Sequence, residues 1–455
     1  MKKILLPLAA FTFGITACKK ETSQSDNSEN KMNKTSTVKD NRPTQPSILQ
    51  WQRSYGSSGT EMGFAIAKTI DGSGYILAGT TSGNDGQVSN NHGGTDAWIL
   101  KVDLNGNVLW KKTIGGTGSD WAYDIVATND GGYVFSGTTS STDGDLSDLT
   151  NHGGTDTWVV KLSGTGDIIW QQELGGSGTE RGLSIINTSD NGFMIGGYSN
   201  SNDGNLTSNH GDYDAWLIKL NGSGGVDWQK LYGGSGYEEV GSVLQVPGGF
   251  EVCGGAASSD GDLALTTGHG GRDVWLYAVD ASGNFLSGKT YGGSGGDGGS
   301  KVYALGDGFL FSGTTSSNNG DVSGNHGYVD TWLVKTGSAG DIIWQKCYGG
   351  TDMDNARICD VDASGNIVLS GYTFSKSGDI SGSKGGEDMW VLKTDAYGNK
   401  LNSTVLGGRG GDIANTAIPT ADGMYISSGR SNSTSGDVTG NHGGEDMWVV
   451  KFLFN

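Results

Sequence analysis

Proline is nearly missing from this chain, with 5 in 455 residues, which excludes a proline-rich linker and a collagen-like repeat. Cysteine is as scarce, 4 in all, too few and too scattered for the disulfide framework of a small secreted fold. Basic residues number 30 against 49 acidic ones, giving a formal net charge of −19. A field of that sign repels phosphates, and no Lys/Arg stripe offsets it, so nucleic acid is not an expected partner. No helix-period stretch of useful length appears. His-Glu-x-x-His, a P-loop and a nucleophile elbow are absent, and glycine runs such as 292–296 read as turns because no helix follows them.

Glycine and large rings are what the chain has. Glycine makes up 82 of the 455 residues, and Trp, Tyr and Phe together 41. Dense glycine among Asn, Asp, Ser and Thr implies many tight turns and therefore many short strands, while the rings supply a layered core. All six histidines fall at one place in a repeat of roughly 58 residues: His92, His152, His210, His269, His326 and His442 each lie six residues before a tryptophan. A seventh copy ends at Trp390 and carries Lys384 in the histidine's place. The chain is one unit written seven times.

Each unit contains four strand-like runs, here called a to d. In the second copy they are AYDIVAT, YVFSGTT, DTWVVKL and DIIWQQEL, joined by the hairpin-sized links NDGG and SGTGD and by a longer b–c loop. One such sheet cannot bury both faces, but seven packed radially can, which predicts an all-β, seven-bladed β-propeller. The d-strand marker reads Trp51, Trp110, Trp170, Trp228, Ser287, Trp344 and Asn402. The repeats begin inside a d strand and stop after a c strand, so the N-terminal strand is expected to complete the last blade and close the ring. A parallel solenoid is the alternative.

The run DTWVVKLSGTGDIIWQQELGGSG followed by RGLSIINTSDNGFMIGGYSNS resembles the SBBP-type β-propeller repeat of bacterial surface and secreted proteins, over about residues 48–455. The resemblance implies the fold and an exported location; it implies little chemistry, since propellers host lectins, lyases, dehydrogenases and scaffolds alike. The N-terminus agrees with export. Two lysines and an apolar run too short to span a bilayer precede Ile15-Thr16-Ala17-Cys18, which resembles a lipobox. Residues 1–17 are thus expected to be a cleaved lipoprotein signal peptide, with Cys18 lipidated and 18–47 a disordered tether. Lys19 after the cysteine favours the outer membrane by resemblance to lipoprotein sorting. Cys253, Cys347 and Cys359 read as buried free thiols.

The long b–c and d–a loops share one face, where binding is expected. In the b–c loop of the second copy, Asp143, Asp145 and Asp156 are candidate oxygen ligands for calcium, against the plainer reading that Asp and Asn before Gly hold turns. An acid recurs in the d–a segment of all seven copies (Glu61, Asp120, Glu180, Glu238, Asp297, Asp354, Asp412), which suggests acceptance of backbone N–H groups between blades. The residue after it differs in every copy. Trp121, Arg181, Glu239 and Asn355 occupy four of those positions and are the candidate ligand-binding residues: a ring to stack on a sugar or peptide, and groups to pair with charge. The expected function is a monomeric, lipid-anchored, surface-exposed propeller that binds a glycan, peptide or partner protein without catalysis. A propeller-type glycan-active lyase or hydrolase, or a structural surface-assembly component, is the alternative.

Overall fold

The computed structural model describes residues 48–454 apart from Thr267 and Ala363. The expected signal peptide, Cys18 and the tether lie outside the described residues. Between Ile48 and Leu453 the described chain forms 28 strands in seven four-stranded antiparallel sheets, with two single helical turns at Gly144–Leu146 and Gly261–Leu263. Among the described residues no helix is long and apolar enough to cross a membrane. The protein is a seven-bladed β-propeller.

In blade 1 the strands are a Glu61–Lys68, b Gly74–Thr81, c Asp96–Asp103 and d Val108–Ile114, hydrogen-bonded in that order. The a strands of blades 2 to 7 are Asp120–Ala127, Glu180–Asn187, Glu238–Val246, Asp297–Leu305, Asp354–Val361 and Asp412–Pro419. Every a strand starts on the recurring acid, which is therefore the strand's first residue and not part of the preceding loop. Blade 7 takes its d strand, Ile48–Tyr55, from the other end of the chain, pairing antiparallel with Asp446–Leu453. The borrowed strand reproduces the usual contact: Trp448 Nε1 donates to Gln52 Oε1 at 2.9 Å, as Trp332 Nε1 donates to Gln345 Oε1 at 2.9 Å within blade 5.

The c-strand tryptophans explain why the sheets stack. Trp98, Trp158, Trp216, Trp275, Trp332, Trp390 and Trp448 are all fully buried in the blade packing. At the rim, the d-strand tryptophan of one blade covers a glycine in the c–d turn of the next. Gly166 has φ +84, and a Cβ there would meet the Trp110 ring at 2.9 Å, so both the turn and the ring require glycine.

A second repeated device joins the blades. The a-strand acids are all buried. Asp297 is representative: it accepts from the Gly293 N–H at 2.7 Å, the Ser317 hydroxyl at 2.8 Å and the Thr315 hydroxyl. These donors belong to the acid's own blade and the loop leading into it, so the carboxylate ties one blade's loops together. The acid's own backbone N–H bridges to the preceding blade, as Asp297 N–H donates to Arg272 O at 2.6 Å. At the same junction two carboxylates from neighbouring blades lie close together, and among the described residues the c-strand oxygen on that side has no hydrogen-bond partner. A Cβ placed on Gly175 would lie 2.0 Å from Asp156 Oδ1 and 2.4 Å from Glu180 Oε2, so these two oxygens confront each other across the glycine. The same two oxygens face the corresponding glycine at all seven junctions, Gly56, Gly115, Gly175, Gly233, Gly292, Gly349 and Gly407.

The histidines belong to this device. The His92, His152, His210, His269, His326 and His442 backbone N–H groups each donate to the c-strand aspartate four residues on. Lys384 N–H does the same to Asp388 at 2.8 Å, which explains how the seventh copy dispenses with the ring. Cys253, Cys347 and Cys359 are buried free thiols.

Candidate functional site

The a strands line the central channel. In six of them a β-bulge falls three residues after the acid and turns that residue toward the channel: Phe64, Tyr123, Leu183, Gly241, Ser300 and Asn415. Blade 6 differs. Its bulge comes later, at Cys359, and the third residue is Arg357. These seven residues, one per blade, line a cavity of about 290 Å³ together with Glu239. An adjoining space of about 90 Å³ adds Asp124 and Lys301, the next residues along blades 2 and 5.

The charges here are unusual for so acidic a protein. Among the described residues neither Arg357 nor Lys301 makes a side-chain hydrogen bond or close ion pair. They feel Asp124 and Glu239 only across the channel. Arg357 is exposed within the channel, and the acids that act on it there are Glu239 and Asp124. Enclosure raises Asp124, opposed first by Lys301 and then by N–H donation from Ile185 and Ile125. The Ile185 N–H reaches the Asp124 carboxylate at 2.9 Å, so that acid also staples blade 2 to blade 3. Burial pushes the Tyr123 phenol up to about 12, which keeps it a neutral hydrogen-bonding group.

Around the mouth, the position after each acid carries the predicted ligand residues. Trp121 is half-buried and stacks on Phe64 with centroids 5.7 Å apart, and Tyr123 meets Phe64 edge-on at 5.4 Å. Arg181 is exposed and lies over the Tyr198 ring at 6.0 Å. Tyr198, Tyr213 and Tyr237 form a second ring cluster, with Tyr213 5.3 Å from each of the other two. Glu239 accepts from the Tyr237 hydroxyl at 2.8 Å and pairs with Arg272, whose guanidinium lies over the Tyr237 ring. The structure thus brings Trp121, Arg181 and Glu239 into three consecutive blades. Asn355 stands apart in blade 6, opposite Tyr372 in the sheet.

The b–c loop acids go to separate donors. Asp143 accepts from Thr117 N–H at 2.7 Å, Asp145 from Gly115 N–H at 3.1 Å, and Asp156 from His152 N–H at 3.0 Å. Among the described residues no group of three or more His, Cys, Asp or Glu side chains is arranged to hold a metal ion. Asp156 has a different neighbour, Glu173, whose carboxyl is pushed up to about 8 by burial and by hydrogen bonding to Asp156.

Sequence reasoning missed Phe64, Tyr123, Asp124, Lys301, Arg357 and Asn415. Their signal was present two and three places beyond the variable position already noticed. Reading it required knowing that a bulge turns the third residue inward.

No protein-family model and no curated protein sequence matches the chain. Among solved structures it is similar to the WD40 domain of Neurospora crassa Pan2, at 8% identity and TM-score 0.49 over 90% of this chain and 96% of that one. It is also similar to Sqt1 from Chaetomium thermophilum, at 10% identity and TM-score 0.46 over 90% of this chain and 100% of that one. The quinohemoprotein alcohol dehydrogenase of Comamonas testosteroni matches at 11% identity and TM-score 0.43, over 90% of this chain and 76% of that one. These likenesses are too distant to speak to function.

Proposed function

We propose that this chain is an exported, lipid-anchored binding propeller of the SBBP-repeat kind, and that its ligand enters the central channel from the long-loop face. The observation that carries this is the unpaired Arg357 and Lys301 in the channel of a protein with net charge −19. Arg357 is exposed and Lys301 half-buried in the channel, so both cations are open to an incoming anion that need displace no protein partner. The aromatic group Phe64, Trp121 and Tyr123 offers ring surface beside them for a sugar or an aromatic side chain. The ligand is therefore an acidic group, most simply a carboxylate, carried on a glycan, a peptide or a loop of a partner protein.

The test is a panel of acidic and neutral glycans and peptides offered to the full chain, with Arg357→Gln and Lys301→Gln beside it. Acidic members should bind, and each variant should weaken them roughly tenfold or more while leaving the melting curve in place. Equal binding of neutral members, or undiminished binding by the double variant, would remove the reading. Product analysis on the same panel separates binding from the glycan-active lyase or hydrolase alternative. Anchoring is tested independently: lipid labelling should vanish with Cys18→Ser, and fractionation should place the labelled chain in the outer membrane.

A further inference from the structure

One row of residues crosses every blade on the face turned to its neighbour. Its b, c and d members are paired directly: Ile76 with Lys101 and Lys101 with Trp110 in blade 1. The same pairing gives Val134–Lys161–Trp170, Met194–Lys219–Trp228, Leu310–Lys335–Trp344 and Ile426–Lys451–Trp51. Blade 6 keeps the first two, as Val368–Lys393–Asn402. Blade 4 changes all three at once, to Glu251–Ala278–Ser287.

The effect is a cavity of about 590 Å³ at the rim between blades 4 and 5. Ala278 and Ser287 remove the lysine arm and the indole that fill this space elsewhere, and Leu276, Phe309 and the Gly340 turn supply the walls. Into the space vacated, Glu251 brings a carboxylate where other blades have an aliphatic chain. Only 7% of Glu251 is exposed, and among the described residues its carboxylate has neither a hydrogen bond nor an ion pair. Burial alone pushes it up to about 7. The nearby Lys289 does not serve it, because its ammonium is directed at Gly340 O at 3.0 Å and Asp341 at 3.1 Å.

A carboxylate buried without a partner is expensive, and the cleft leaves it within reach of a ligand from outside. That cost falls if a ligand returns what blade 4 has given up. We infer that the cleft between blades 4 and 5 is a second binding site, for an alkylammonium group whose nitrogen meets Glu251 and whose hydrocarbon arm lies over Ala278 and Ser287. A free amine and a lysine side chain of a partner share this chemistry. The site is independent of the channel and of the acidic ligand proposed for it.

The probes are 1,5-diaminopentane and Nα-acetyl-lysine methylamide, titrated calorimetrically into the full chain, with pentanol as the uncharged control. Both amines should bind and pentanol should not. Binding of the lysine derivative alone would point to a partner's side chain as the source. Glu251→Gln should weaken binding about ten- to hundredfold, and Ala278→Lys with Ser287→Trp, which rebuilds the standard row, should abolish it. Wild-type affinity should rise as pH passes upward through the carboxyl's value of about 7. Absence of amine binding by the wild type, or equal binding by the refilled double variant, overturns the proposal. The refilled variant decides the matter even if Glu251→Gln folds poorly.

Discussion

At the blade junctions the seven copies agree down to which oxygen faces which, whereas along the channel the fourth residue of the a strand is different in every blade. Phe, Tyr, Leu, Gly, Ser, Arg and Asn follow one another there, while the first residue of the same strand is always an acid. Both positions lie on one strand and differ only in what surrounds them. A junction residue is pressed between two blades whose geometry repeats, so one solution serves seven times. A channel residue faces solvent and whatever enters, so repetition puts no demand on it. The seam between blades 4 and 5 shows the same contrast in small, with a row kept whole in five blades and rewritten in one.

Breaking the repeated parts should cost most. Trp158→Ala, which empties a fully buried site, should lower unfolding free energy by about 3–5 kcal/mol in a denaturant titration. A loss near zero would mean that the blades do not depend on their c-strand rings.

Asp297→Ala should come next. It strands the Gly293 N–H and the Thr315 and Ser317 hydroxyls, at about 1–3 kcal/mol for each buried group left without a partner. Asp297→Asn, which keeps an acceptor, should lose less, and the difference between the two variants measures the acceptor's share.

The facing carboxylates add a pH dependence. Burial raises Asp96, Asp156, Asp214, Asp273, Asp330 and Asp446, and at Asp96, Asp273 and Asp330 the facing acid adds to it. A raised carboxyl holds its proton more tightly folded than unfolded. Its contribution is therefore fully present below the ordinary value of 3.8 and is lost as pH rises through the folded values. Glu251 at about 7 and Glu173 at about 8 extend that loss to neutral and mildly alkaline pH. Turn acids such as Asp130 and Asp190, lowered to about 2 mainly against burial by Lys161 and Lys219, act in the opposite sense only in strong acid. Melting temperature should peak in mild acid and fall towards pH 9, and a flat profile would show that burial does not raise these carboxyls.

Channel changes should be nearly silent in stability. Arg357→Gln should stay within about 0.5 kcal/mol of wild type while removing the acidic ligand, so that fold and binding separate cleanly. The smallest effect is expected from a calcium chelator. The Asp143, Asp145 and Asp156 carboxylates already accept backbone N–H groups, and the melting curve should not move.

How far these parts were legible follows from the same contrast. Repetition made the blade count, the strand order and the ring closure readable, because Trp98 to Trp448 and their histidines mark one register seven times. The role of the histidines was only half readable. Lys384 already hinted that the ring was dispensable, but that a backbone N–H to the c-strand aspartate is the common element emerged only from the loop's geometry. At the mouth, variability at Trp121, Arg181 and Glu239 drew attention to the start of the a strand, next to the channel-lining residues. Arg357 and Lys301 went unremarked, because nothing in a one-dimensional pattern says that a bulge turns them into a shared space.

The order of residues alone therefore determined the architecture, since period, turn chemistry and an incomplete terminal blade admit one closed arrangement of sheets. Only the tertiary structure decided where chemistry is concentrated. Residues separated by a whole repeat or more, such as Phe64 with Trp121, Lys301 with Arg357, and Glu251 with the Gly340 turn, become neighbours through blade packing. Their contacts depend on bulges and on side chains missing from one blade, and those are properties of the folded ring.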